Sequence, residues 1–199
     1  MAKIGVFGGS FNPPHHGHLL IAQEALAAFA LDEVWWMPAS QPPHKQLAGN
    51  VSDEDRIALV QEAIRHNDKF SLSLLEFERE GPSYTIDTMR TLCTRYPTHE
   101  FFFIIGGDMA NSLEQWHEIE ALGKLVTFIA INREDYPLKE NHYPFSVEEL
   151  YVPSFNVSST FIRQRLEEGK NTKYILPDGV RRVIEVKGLY GTEESPRNR

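Results

Sequence analysis

A change of period near the N-terminus constrains this chain more than any other feature. Lys3-Ile4-Gly5-Val6-Phe7 reads as a short buried strand, whereas from Gly17 to Phe29 the apolar positions Leu19, Ala22, Leu26 and Phe29 share one helical face. Between them lies the turn-rich segment Gly8-Gly9-Ser10-Phe11-Asn12-Pro13-Pro14-His15-His16-Gly17-His18. The same alternation continues. Glu33 to Met37 is a second apolar run, closed by Pro38 and a Pro-rich loop through Lys45. Ser52 is the expected N-cap of a helix reaching about His66, with Asp55 answering three residues later. Phe70 to Phe77 is strand-like, Gly81-Pro82-Ser83 turns into a helix through about Arg95, and Glu100 to Ile105 is the clearest buried strand. A short helical region, a strand from Leu125 to Ile131 and a loop-like stretch from Asn132 to Pro144 follow. Leu150 to Val157 reads as extended, Ser158-Ser159-Thr160 opens a helix ending at Gly169, and Pro177 precedes a last helix to about Lys187. Strands alternating with helices predict an α/β fold, a doubly wound parallel sheet covered on both faces. A single domain is expected over residues 1–191, with the polar segment 192–199 a disordered tail.

Composition narrows the function classes. A length of 199 residues is ample for a hydrophobic core without staples, and one cysteine, Cys93, excludes an internal disulfide framework. No apolar run approaches the ~20 residues that span a bilayer. The start of the chain leads straight into strand-like sequence, so a cytoplasmic protein with no membrane partner is expected. Twenty basic against 28 acidic residues give a net charge of −8, which argues against a nucleic-acid-coating protein. A small anionic substrate remains open, because a few local donors can oppose the global sign.

In open parallel sheets, ligands bind outside the carboxyl ends of the strands. The first such junction here carries glycines that permit close backbone approach, followed by a helix start with unpaired N–H groups suited to an anion. Neither a dinucleotide fingerprint nor a Walker loop fits the segment. His15 and His18 stand three residues apart at the mouth of the helix, where imidazoles can donate to phosphate oxygens. A cluster of His15, His16, His18 and His44 around a metal lacks the carboxylate-bearing helical spacing of metallohydrolases, and no protein metal site is expected. Late in the chain, Ser158, Ser159 and Thr160 suit an N-cap, and Arg163 lies within one turn of that helix end, able to fork two donors onto a phosphate.

The segment from Gly8 to His18 resembles the G-x-F-[DN]-P-x-H-x-G-H signature of the nucleotidyltransferase superfamily, and Ser158 to Arg163 resembles its second signature, S-[ST]-x-x-[IL]-R. Pro42-Pro43-His44-Lys45, Gly81 to Thr85, Ile104 to Asp108 and Trp116-His117 are similar to segments of bacterial nicotinate mononucleotide adenylyltransferases, a resemblance that spans nearly the whole chain. It implies a Rossmann-like sheet and transfer of the adenylyl group of ATP to nicotinate mononucleotide, releasing pyrophosphate, with Mg²⁺ brought in on the ATP phosphates. It also implies that Gly8, Gly9, Ser10, Phe11, His15, His18, Gly106, Asp108, Ser159, Thr160 and Arg163 hold ATP. His15, His18 and Arg163 are then the residues expected to stabilise the reacting phosphates. The expected mononucleotide contacts are Lys45, Tyr84, Thr85, Asp108, Trp116, His117 and Arg133, with Trp116 stacking on the pyridine ring. Ala39-Ser40-Gln41 departs from relatives that often carry Asn there, a difference bearing on acid against amide selectivity. The alternatives are an adenylyltransferase for nicotinamide mononucleotide or phosphopantetheine, and a non-catalytic nucleotide-binding regulator; a homo-oligomer is left open. Trp35, Trp36, Met37 and Phe101 to Phe103 are expected in the core, Cys93 as structural, and His16 as a spacer.

Overall fold

The computed structural model describes residues 1–40, 51–78, 84–132, 137–139 and 143–192. Its strands are β1 (Lys3–Gly9), β2 (Glu33–Pro38), β3 (Phe70–Leu72), β4 (Glu100–Gly106), β5 (Thr127–Asn132) and β6 (Val147–Tyr151). The helices are α1 (His16–Ala28), α2 (Asp53–Ile64), α3 (Thr85–Arg95), α4 (Gly107–Ala110), α5 (Ile119–Leu122), α6 (Ser159–Glu167) and α7 (Asp178–Lys187), with 3₁₀ turns at Leu75–Glu78, Leu113–Gln115 and Leu189–Gly191.

The described strands form one six-stranded sheet in the order β3-β2-β1-β4-β5-β6, and every neighbouring pair is parallel. The chain builds outward from β1 to β3, then returns to lay β4 on the other side of β1. That reversal puts the switch point of the sheet at the carboxyl ends of β1 and β4, where sheets of this kind form a ligand-binding crevice. Phe7 lies opposite Ile104 at the last paired step, so Gly9 and Gly106, two residues further on, end their strands side by side.

Both faces of the sheet are covered, which accounts for the unbroken apolar run of β4. Phe102 and Ile104 join Phe7, Ala22, Leu26, Trp36, Ile129 and Ile131 in one buried cluster. Phe101, Phe103 and Ile105 join Ile4, Val6, Met89, Leu92, Phe128 and Ala130 in another. The period of two thus sends alternate side chains into two separate cores. A third cluster, with Leu59, Ile162, Leu166, Val180, Ile184 and Tyr190, packs α2, α6, α7 and the last 3₁₀ turn together. Trp36, Met37 and Phe101 to Phe103 are buried as expected, Trp35 is partly buried, and Cys93 is half-buried in α3.

Several boundaries shift. The strand expected over Phe70 to Phe77 stops at Leu72 and gives way to a 3₁₀ turn. Its alternation breaks at Leu74-Leu75, where Leu75 is buried and Leu74 is exposed at this sheet edge. The extended segment expected from Leu150 to Val157 is a strand from Val147 to Tyr151, ended two residues before Pro153. The Ser52–Asp55 box forms as the spacing implies, with Asp55 N–H donating to Ser52 Oγ at 3.1 Å, and the helix ends at Ile64. Thr192, first residue of the polar segment, donates from its hydroxyl to the carbonyls of Ile184 and Leu189; residues 193–199 lie outside the described residues.

Candidate active site

The β1–α1 connection is shaped by its own side chains. Phe11 takes the left-handed region (φ 44°), a conformation that costs energy for a bulky residue and persists only when neighbours enforce it. Its ring is fully buried, 5.1 Å from Trp36, 5.4 Å from Phe7 and 5.2 Å from His18 between centroids. The aromatic cluster beneath β1 therefore bends the loop and supports one face of His18.

His15 is the N-cap of α1, in extended backbone, and faces His18 across the first turn as in a capping box. The backbone N–H of His15 donates to His18 Nδ1 at 3.2 Å, which puts the proton of the neutral His18 ring on Nε2. The two rings are 3.8 Å apart between centroids, with His15 buried and His18 half-buried. Gly17 makes room for this pair, since a Cβ there would come within 3.0 Å of the His15 ring and 3.2 Å of Phe155. His16, between them, is exposed, as a spacer would be.

The loop is then tied to the far end of the chain. Ser158 caps α6, its Oγ accepting from Phe161 N–H at 3.2 Å. Ser159 Oγ donates to the carbonyl of Pro13 (2.9 Å), and Arg163 Nη1 donates to the carbonyl of Asn12 (2.8 Å). Arg163 Nη2 also reaches Thr160 Oγ1 at 3.1 Å. Two segments 146 to 151 residues apart thus form one surface, with guanidinium, hydroxyl and imidazole donors around a pair of helix N-termini.

Three loop anchors escaped sequence reasoning. Arg56 of α2 is fully buried, donating from Nη1 to the carbonyls of Ala39 (2.7 Å) and Ser10 (3.3 Å) and from Nη2 to Asp53 (2.5 Å). In Asp53-Glu54-Asp55-Arg56 it reads as a solvated helix charge, and nothing local marks it otherwise. Buried Asn12 was visible only as a motif letter, and Tyr190 only as part of the chain's ending. Their side chains meet at 2.6 Å.

At the end of β4, Gly106 is the N-cap of the one-turn helix α4, and exposed Asp108 sits in its first turn. The Asp108 carboxylate folds back over the strand end, its Oδ1 2.7 Å from where a Cβ on residue 106 would stand. Asp108 is therefore not the N-cap of that turn.

Four of the expected mononucleotide residues, Tyr84, Thr85, Trp116 and His117, come together near the start of α3. Tyr84 is the N-cap of α3 and Thr85 its first residue. The Tyr84 and His117 rings are 4.7 Å apart, which brings the 84–85 and 116–117 segments together. Trp116 is half-buried, its ring edge-on to Phe103 (6.1 Å) and Phe128 (6.2 Å). It also borders an open depression of about 680 Å³ with Arg90, Glu118 and Lys124. Glu118, in the left-handed region (φ 50°), pairs in two-pronged fashion with Arg90 of α3 (2.6 and 3.2 Å). The hydrogen bond from Arg90 holds the Glu118 carboxyl below its ordinary value, although both side chains are well exposed. Lys45, His44 and Arg133 lie outside the described residues, as does the Gly81-Pro82-Ser83 turn.

The comparisons agree with this architecture. The family model described as cytidylyltransferase-like matches residues 6–165. A probable nicotinate-nucleotide adenylyltransferase of Geobacillus kaustophilus is 45% identical over 199 residues, covering 100% of this chain and 91% of the relative. One from Shouchella clausii is 49% identical over 191 residues, covering 96% of this chain and 98% of its own. Among solved structures, Plasmodium falciparum nicotinic acid mononucleotide adenylyltransferase complexed with NaAD matches with a TM-score of 0.79 at 21% identity, covering 97% of this chain and 99% of that one.

Proposed function

Because this chain belongs to the nicotinate-nucleotide adenylyltransferases, within the cytidylyltransferase-like family, we propose that the crevice at β1 and β4 joins ATP to nicotinate mononucleotide. The products are deamido-NAD and pyrophosphate, a step of NAD biosynthesis. The observation that carries the reading is the union of the two motifs, with Arg163 and Ser159 of α6 bonded to the Asn12 and Pro13 carbonyls of the β1–α1 loop.

The mononucleotide phosphate is already anionic, so it attacks the α-phosphorus without a base to activate it. The bond from α-phosphorus to the bridging oxygen breaks as the new one forms in line, and pyrophosphate leaves with the electron pair. What remains for the protein is positioning and charge stabilisation. His18 Nε2–H, His15 and Arg163 meet the charge that builds on the leaving phosphates. Asp108 accepts from a ribose hydroxyl, and Gly8, Gly9, Ser10, Phe11 and Thr160 shape the walls around the triphosphate. Trp116 stacks on the pyridine ring, with Tyr84, Thr85 and His117 around its carboxylate, and Lys45 and Arg133 are assigned to phosphate.

Magnesium belongs to this scheme as an ion carried on the ATP oxygens. Among the described residues no three His, Cys, Asp or Glu side chains cluster as a cage. The phosphate loop instead offers nitrogen donors, which suit phosphate rather than a cation that prefers oxygen. When bound with ATP, the ion would supply neutralisation of the triphosphate's charge. We place the enzyme in the cytoplasm, acting on free nucleotides and not on nucleic acid, with the net charge of −8 as support for the latter. No helix among the described residues is long and apolar enough to cross a membrane.

The test is pyrophosphate release with ATP and a panel of acceptors. Nicotinate mononucleotide should give the highest kcat/KM. A preference for the amide or for phosphopantetheine would reassign the acceptor, and silence with all three would overturn the enzymatic reading.

A further inference from the structure

The last 3₁₀ turn, Leu189–Gly191, is built from conformations that a chain avoids without cause. Gly188 (φ 61°), Tyr190 (φ 58°) and Gly191 (φ 76°) are all left-handed, and the middle one is an aromatic residue with no intrinsic tolerance for it. Strain of this kind persists where the surroundings enforce it and clusters at functional sites. Here the bend carries the Tyr190 ring into the cluster of α2, α6 and α7. Its hydroxyl then meets the Asn12 side chain at 2.6 Å, in a buried contact between residues 178 apart. Burial drives the Tyr190 hydroxyl pKa far upward, with the charges of Arg163 and Arg56 pulling the other way, so it stays a proton donor across the working range. Asn12 Oδ1 accepts the hydrogen bond from that hydroxyl, while the backbone carbonyl of the same residue accepts from Arg163. One residue of the phosphate loop is therefore held from two sides.

We propose that Tyr190 is a positioning residue for the adenylyl transfer: its hydroxyl fixes Asn12 and, through Asn12, the relation between the β1–α1 loop and Arg163. It is buried, so it acts through Asn12. The proposal rests on the function assigned above, and it deepens that reading by making the end of the chain part of the ATP site.

The experiment uses the full chain with Tyr190→Phe, which removes one oxygen and keeps the ring. Thr192→Ala serves as control, because the Thr192 hydroxyl braces the same turn through the Ile184 and Leu189 carbonyls without reaching Asn12. Y190F should lower kcat about 10-fold and raise KM for ATP several-fold, while KM for the mononucleotide stays within about twofold. T192A should keep both kinetic constants near those of the unsubstituted enzyme. In a double-mutant cycle, Y190F should add little to the loss caused by Asn12→Ala. Unchanged kinetics in Y190F, an equal loss in T192A, full additivity with N12A, or a Y190F chain that does not fold would each overturn the proposal. If the unsubstituted chain releases no pyrophosphate, the assigned function falls instead. The proposal is then read from binding of a non-hydrolysable ATP analogue, expected about tenfold weaker in Y190F and unchanged in T192A.

Discussion

The two halves of the crevice are held in place by different means. On the side assigned above to the phosphates, the β1–α1 loop is fixed by buried or half-buried groups from four directions: Arg56 on Ser10, Tyr190 on Asn12, Arg163 on Asn12 and Ser159 on Pro13. On the side assigned above to the acceptor, the Trp116–Glu118 segment meets α3 through an exposed ion pair and an exposed ring contact, with Trp116 only half-buried. The contrast follows the chemistry. Donors that act on charge developing in a transition state must be in position beforehand, since reorganisation during the reaction cancels their benefit. A ring-stacking surface needs area and tolerates adjustment.

Substitutions on the two sides should therefore fail differently, and the comparison can be broken at four points. His18→Ala should lower kcat by roughly 100-fold or more with the fold intact, the scale of losing one preorganised donor; near-normal turnover would remove His18 from the phosphate machinery. Arg56→Met should lower unfolding stability by about 2 kcal/mol or more, because the Ser10 and Ala39 carbonyls lose their donor in a dry setting. Its readout is the denaturation midpoint, and an unchanged midpoint would show that the loop does not depend on this anchor. On the acceptor side, Trp116→Ala should raise KM for the mononucleotide about 10-fold, as expected for one stacked ring, while KM for ATP holds; equal effects on both would end the division into sides. Glu118→Gln should change KM for the mononucleotide by less than about threefold, and 1 M salt should mimic it in the unsubstituted enzyme, because exposed pairs are weak and screened. The sign with pH is fixed by the lowered carboxyl. Its contribution is present above the ordinary value of 4.5 and is lost as pH falls through the lower folded-state value.

How far the sequence anticipates all this depends on the range of the forces involved. Local rules placed the strand–loop–helix at Gly8 to His18, the Ser52–Asp55 box and the Ser158 cap, because each is a matter of residues within one turn of one another. The unbroken Phe101–Ile105 run announced a strand buried on both faces for a similarly local reason. Arg56 and Tyr190 were illegible because their meaning lies in partners 46 and 178 residues away. Neither has a pattern of its own: one sits in a charged helix start, the other in an aromatic ending. Phe70 to Phe77 misled for the opposite reason. Its composition favours a strand, but at a sheet edge only Phe70 to Leu72 find a partner in β2.

The reach from Tyr190 to Asn12 also has a temporal meaning. Synthesis runs from the N-terminus, so β1, its loop and both signature motifs precede the Gly188–Gly191 turn whose Tyr190 hydroxyl reaches Asn12. A chain cut short after Lys187 would hold every residue of the two motifs and still lack the strut beneath the first.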